Sequence, residues 1–274
     1  VAFYFAYSKQ NLLLKSTFFD GWPLRHGFGT RIQAGPAGNS NPDRLYGLPG
    51  AADVPGPFPE VPRGGVVSLQ QIHSARLWQV EDGPGPPRLL ELEGGRLARE
   101  YPAEGDGLVT RARGVLLQVR SADCFPVLLY DPARHAGAAV HSGWRGTLAG
   151  IAGRAVRALG DRFGCDSAGI RAAVGPGIQK CCFEVGEEVR AQFAEAFPEL
   201  VPAGAGPDRR LDLRACIRRT LVLAGLRPEH IDLAPWCTCC RGELFYSYRR
   251  EKAATGRMFN WICLAEPGQG LRRL

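Results

Sequence analysis

Four short apolar runs set the frame for this chain: GGVVSLQQI (64–72), GVLLQV (114–119), PVLLYD (126–131) and AGAAVH (136–141). Each is rich in branched or small residues and bounded by Gly, Pro or Asp. Runs of this length with little polar alternation predict strands buried on both faces. After His141 the period changes: Leu148, Ile151, Ala152, Ala155, Val156 and Leu159 recur at helical spacing, with Thr147 as the expected N-cap and Gly160 or Gly164 as the stop.

Downstream, GIRAAVGPGI reads as a further strand, and Val189, Phe193, Ala194 and Phe197 mark a second amphipathic helix. Asp212 is placed to cap a third helix carrying Cys216, Ile217, Leu221 and Ala224 on one face, with Gly225 behind it. HIDLAPW and RMFNWICL close the chain as strands, and EDGPGPPR is a loop. The first 60 residues are rich in Gly, Pro and Asn, and GFGTRIQAGPAGNSNPDRLYGLPG predicts an ordered loop region rather than helix or strand. Strands and helices mix without strict alternation, no repeat appears, and no Gly/Ser linker divides the chain. The expectation is one α/β or α+β domain over residues 1–274.

Composition narrows the setting. Hydrophobic residues make up 45 % of the chain without a run long enough to span a bilayer, and VAFYFAYSK lacks the length and basic flank of a secretion signal. A net charge of +7 rests on 30 arginines and four lysines in blocks no longer than two, without finger spacings or RNP-type motifs. This argues against a nucleic-acid partner and leaves arginines available for a small anion. Nine cysteines in a chain of this length do not suggest a disulfide framework, so reduced thiols and a cytoplasmic setting are expected. Cys237, Cys239 and Cys240 include a CxxC spacing, and Cys181 and Cys182 are adjacent; a redox pair, half a zinc site and packed thiols all remain open for them.

Three residues carry the chemistry. His73 in LQQIHS, Cys124 in RSADCFPVLLYDP and His141 in AAVHSGWRGTLAGI each fall at the end of a predicted strand, where sites in α/β sheets gather. Two imidazoles and one thiolate leave a coordination position open, which is the arrangement of catalytic rather than structural zinc. Asp106 and Asp123 can orient a ligand histidine or move a proton. Arg145, at the first turn of the helix after His141, can clamp an anion, with Arg31 and Arg249 as helpers.

LQQIHS, AEGDGLVT, SADCFPVLLYDP, VHSGWRGTLAGI, GPGIQKCCFEVG, CTCC, FYSYRR and TGRM occur in the order found in the YfiH, or laccase-domain, family, which the chain resembles over roughly residues 25–265. Its members were long called multicopper polyphenol oxidases and are now regarded as purine nucleoside phosphorylases. The resemblance implies a layered fold of mixed sheets flanked by helices and a zinc held by His73, Cys124 and His141. It also implies phosphorolysis of adenosine, inosine, guanosine and S-methyl-5'-thioadenosine, together with adenosine deamination. The partners expected are purine nucleosides and inorganic phosphate, with no membrane and with room for a homo-oligomer. The chain departs from the family pattern at Ser142, Gly177, Phe183 and Cys239, which touches base preference rather than the metal ligands.

Three other classes compete, of which a non-catalytic or peptide-modifying partner protein has no peptide groove legible in the sequence to support it. A copper oxidase would use the same two histidines and cysteine with Met258 as a weak axial ligand, but it needs His-x-His pairs, which the chain lacks. A hydrolase would use Cys124 as nucleophile and His141 as base.

Overall fold

The computed structural model describes residues 3–8, 11–31, 65–81, 87–98, 102–202 and 209–265. In chain order the strands are β1 (Phe3–Ser8), β2 (Asn11–Ser16), β3 (Leu24–Gly29), β4 (Val66–Val67), β5 (Leu77–Glu81), β6 (Arg88–Glu91) and β7 (Gly107–Thr110). They continue with β8 (Leu116–Ser121), β9 (Phe125–Asp131), β10 (Ala136–Ser142), β11 (Arg171–Val174), β12 (Ile231–Leu233) and β13 (Met258–Leu264). The helices are α1 (Trp144–Leu148), α2 (Ile151–Phe163), α3 (Glu187–Ala196), α4 (Leu213–Leu223) and α5 (Tyr248–Glu251). Among the described residues no helix is long and apolar enough to cross a membrane.

Two mixed sheets form. One has six strands in the order β1-β2-β3-β13-β8-β4, the other seven in the order β12-β11-β9-β10-β7-β5-β6. Among the named strands, β4 with β8, β5 with β7, and β11 with β12 pair in parallel. Alternate residues of β9 explain why its sequence is apolar throughout. Val127 and Leu129 join Ala155, Leu159, Ile217 and Leu221 of α2 and α4 in one core. Leu128 and Tyr130 join Phe28, Leu117 and Ile262 of the six-stranded sheet in the other. The layers are therefore sheet, sheet and helices, as the mixed α/β class requires.

The strands expected at 114–119, 126–131 and 136–141 form, as do the expected helices at α3 and α4, the latter capped by Asp212, whose Oδ1 accepts from the Ala215 amide at 2.9 Å. Three expectations are corrected. The N-terminal region contains three strands: β1 and β2 pair in register from Phe3 with Ser16, and β3 pairs with β13 at the far end of the chain, a partner local composition does not reveal. Most of GFGTRIQAGPAGNSNPDRLYGLPG lies outside the described residues.

GGVVSLQQI is strand only at Val66–Val67, because the amides of Ile72, His73 and Ser74 turn instead to the carboxylate of Asp106. Thr147 is not the cap of the long helix. It lies inside α1, where its hydroxyl donates to the Gly143 carbonyl at 2.9 Å, and Gly150, at φ 72°, separates α1 from α2. The stop is Gly164, left-handed at φ 67° with its amide bonded to the Gly160 carbonyl.

Candidate active site

The crossing between the two sheets builds the site. Residues 122–124 carry the chain from β8 in one sheet to β9 in the other, so Cys124 stands beside His141, the penultimate residue of β10, through the antiparallel pairing of Pro126 with His141 and Phe125 with Ser142. His73 does not lie at a strand end; it sits in the irregular segment between β4 and β5. The ligand atoms of His73, Cys124 and His141 all lie within 4.8 Å of one another, and the two imidazole rings meet edge to face at 5.0 Å between centroids. His141 is buried, Cys124 half-buried and His73 exposed, so the cluster opens on the His73 side.

Asp106 organises this arrangement. It is fully buried, and its Oδ1 accepts from the His73 amide at 3.0 Å and pairs with His141 Nδ1 at 2.9 Å. Its Oδ2 accepts from the Ser74 amide at 2.6 Å and the Ser74 hydroxyl at 2.7 Å. One carboxylate thus fixes the backbone of one ligand and the ring orientation of another, leaving His141 Nε2 as the nitrogen free to coordinate. Burial pushes the Asp106 carboxyl up, but the hydrogen bonds from His141 and Ser74 outweigh it and hold it below the usual carboxylate range. His73 adopts φ 59° and Asp123 φ 93°, so two of the four described non-glycine residues with positive φ sit at or next to a ligand.

Electrostatics favour ligation. Burial raises the Cys124 thiol, but the charges and hydrogen bonds of His141 and His73 outweigh it and bring it down to about 6. Burial lowers His141, but the charge of Cys124 and the hydrogen bond to Asp106 raise it to about 9. The sulfur is therefore held as a thiolate near neutral pH, the form a metal ion takes.

The donor set fits a zinc ion: soft sulfur with two imidazoles, an ordered outer carboxylate and room between the ligands. That room depends on Gly143, where a Cβ would stand 3.0 Å from the Cys124 sulfur and 3.1 Å from His73 Cδ2.

The remaining expected site residues are placed differently. Asp123 accepts the Thr238 hydroxyl on Oδ1 and the Arg249 amide on Oδ2, both at 2.6 Å, so its carboxylate ties a distant segment to the Cys124 turn. Arg249 donates to the carbonyls of Cys182 and Glu184, at 3.1 and 2.8 Å. Arg31 donates to the Gly242 carbonyl and pairs with Glu251 at 2.8 Å. Arg145 is exposed, its guanidinium lies over the Trp144 ring at 4.2 Å, and that guanidinium makes no hydrogen bond or ion pair among the described residues. Its helix has only five residues, so its own charge rather than the helix dipole would meet an anion. Sequence reasoning missed Ser74, Gly143 and Thr238. Each lies one or two residues from a singled-out His or Cys, which is the only local signal they carry.

The family model described as Multi-copper polyphenol oxidoreductase laccase matches residues 59–265, which include every residue of this cluster. The chain belongs to this laccase-domain, or YfiH, family. Within the family it is 37 % identical over 206 residues to Purine nucleoside phosphorylase YlmD of Geobacillus stearothermophilus, covering 72 % of this chain and 71 % of that protein. The crystal structure of that YlmD superposes with a TM-score of 0.74 at 26 % identity, covering 96 % of this chain and 99 % of that one. Adenosine deaminase RL5, from an unknown prokaryotic organism, is 36 % identical over 202 residues, covering 72 % of this chain and 74 % of that protein. Purine nucleoside phosphorylase LACC1 of Mus musculus is 34 % identical over 175 residues, covering 62 % of this chain. The chain spans 40 % of the length of that mouse relative.

Proposed function

We propose that this laccase-domain protein is a zinc-dependent purine nucleoside phosphorylase acting on adenosine, inosine, guanosine and S-methyl-5'-thioadenosine, with adenosine deamination at the same pocket. The observation that carries the reading is the three-ligand cluster of His73, Cys124 and His141, open on one side and oriented by Asp106, in a chain whose relatives are named purine nucleoside phosphorylases. The deaminase component rests on the name of RL5.

His73, Cys124 and His141 would hold the zinc, and the chemistry the ion supplies when bound is Lewis-acid stabilisation of negative charge developing on the purine. The reaction forms a bond from a phosphate oxygen to C1′ as the C1′–N9 bond breaks. The electron pair leaves with the purine, which takes a proton, and ribose 1-phosphate is the second product. Arg145, whose guanidinium has no other polar partner among the described residues, pairs with the phosphate and sets it in line. Asp106 keeps His141 and the His73 backbone in position without titrating in the cycle.

The family description also names copper oxidation. Against it, a multicopper centre needs further clustered histidines, and among the described residues the other three are scattered. His26 accepts from the Ser16 amide, His135 pairs with the Tyr130 hydroxyl, and His230 lies in the turn before β12. Met258 begins β13, buried in the six-stranded sheet.

Adenosine incubated with phosphate and the protein should yield adenine and ribose 1-phosphate, with inosine or hypoxanthine where deamination follows. Chromatography against phosphate-free and metal-stripped controls decides it. Intact purines together with copper-dependent oxidation of a phenol would give the site to the oxidase reading.

A further inference from the structure

The chain brings a second set of metal-type ligands together, away from the three residues above. Cys181 and Cys182 lie in the turn before α3, Cys237 and Cys240 in the turn after β12, and their four sulfur atoms all fall within 4.8 Å of one another. Cys240 Sγ is 3.5 Å from Cys181 Sγ and 3.3 Å from Cys182 Sγ. None is in a disulfide. We propose that Cys181, Cys182, Cys237 and Cys240 form a closed four-thiolate site that binds one zinc ion and clips the 179–186 loop to the 237–250 segment.

Size favours a single ion. Zn–S bonds of about 2.3 Å in a tetrahedron put sulfur atoms roughly 3.8 Å apart, inside the span observed here. Thiolates surrounding a multi-iron cluster stand farther apart. Packing does not account for the group either. Cys165, Cys216 and Cys263 are buried as small apolar side chains, whereas Cys181 and Cys240 are exposed and gain nothing from apolar contact.

The surrounding backbone is already organised for such a site. The Gln179 amide donates to Cys237 Sγ at 3.4 Å, an outer hydrogen bond of the kind that steadies a metal thiolate. The Cys182 amide donates to the Gln179 carbonyl at 2.9 Å, which closes the first turn, and the Thr238 amide donates to the Gly177 carbonyl at 3.1 Å, which ties the second turn to the segment leading into the first. Two arginines bring positive charge to a centre that four thiolates would leave at −2. Arg250 donates to the carbonyls of Thr238 and Cys239, at 2.9 and 2.7 Å, and Arg249 donates to that of Cys182. Four protein ligands leave no open position, so this site is structural. Its consequence reaches the first cluster, because Thr238 and Arg249, both in the clipped segment, hold Asp123 next to Cys124.

The test counts zinc by elemental analysis in full-length protein purified without chelator. Wild type should hold about two equivalents, His73→Ala/Cys124→Ser about one, Cys181→Ser/Cys240→Ser about one, and the combined variant none. Cys239→Ser, outside the cluster, should keep the wild-type count. Cobalt loaded into His73→Ala/Cys124→Ser should give the sulfur-to-metal charge-transfer bands of a tetrathiolate, altered by Cys240→His. In unmutated protein the exposed Cys181 and Cys240 should resist alkylation until a chelator is added, a readout that needs no variant. Immediate alkylation of both thiols without chelator, or equal zinc in wild type and Cys181→Ser/Cys240→Ser, overturns the proposal. Loss of zinc from the first cluster alone bears on the phosphorylase reading and leaves this one standing.

Discussion

The His73/Cys124/His141 cluster and the Cys181/Cys182/Cys237/Cys240 cluster use the same soft chemistry on different supports. The first takes its ligands from a sheet crossing, a strand and the irregular segment between β4 and β5, orders two of them with one buried carboxylate, and stops at three. The second takes four from two turns, orders them through backbone hydrogen bonds, and has exposed sulfurs at its rim. Ligand number and the depth of the supporting shell thus separate a site suited to reaction from one suited to holding segments together.

That contrast breaks most sharply on turnover. Cys124→Ala or His141→Ala should lower the rate of adenosine cleavage by at least roughly a thousandfold, since electrophilic assistance is worth several kcal/mol. Cys240→Ser should leave kcat within about threefold, because a site closed by four protein ligands has no open position for substrate. Single-turnover assays on folded variants compare them directly. Equal losses at both clusters would mean that the second is not merely structural.

Arg145→Ala sharpens the comparison from the substrate side. Losing a charge-assisted pair worth about 1.5–3 kcal/mol should raise the phosphate concentration for half-maximal rate by roughly 10- to 150-fold, with zinc content unchanged. Phosphate titration at fixed adenosine reads it, and an unchanged midpoint would move the anion to another group. Asp106→Asn comes next. It keeps the shape but replaces an acceptor oxygen with an amide facing donors, so zinc affinity at the first cluster should fall by about 10- to 100-fold in chelator competition, with the four-cysteine site unaffected.

How much of this could be read from the chain alone depended on where each residue finds its partners. PVLLYD and AGAAVH were legible as strands because both of their faces are buried, one against helices and one against a second sheet, which leaves an uninterrupted apolar run. β1 and β2 were not, because a Gly- and Pro-rich stretch downstream dominated the composition and the sheet they join is completed by β13. His73, Cys124 and His141 stood out by residue type and phrase, and the fold brings them to one point. The engagements of Asp123, Arg31 and Arg249 were hidden, since their partners Thr238, Gly242, Glu251 and Cys182 lie 67 to 220 residues away. The cysteine pairs were visible only as halves, because nothing local says that position 181 meets position 240.

The smallest expected effect tests the link between the two regions. Thr238 and Asp123 are buried, and the hydroxyl donates to the carboxylate at 2.6 Å, joining the turn of Cys237 and Cys240 to the turn of Cys124. Thr238→Val keeps the volume and removes the donor, leaving one carboxylate oxygen short of a partner away from water. Such an orphaned acceptor costs about 1–3 kcal/mol, which corresponds to a fall of several degrees in Tm for a protein of this size. Thr238→Ser, which restores the hydroxyl, should recover most of it. Because Asp123 faces Thr238 and the Arg249 amide rather than the ligand atoms, kcat should move less than stability does. A variant as stable as wild type would show that the Arg249 amide alone holds Asp123. A large fall in kcat at unchanged Tm would instead place Asp123 in the reaction itself.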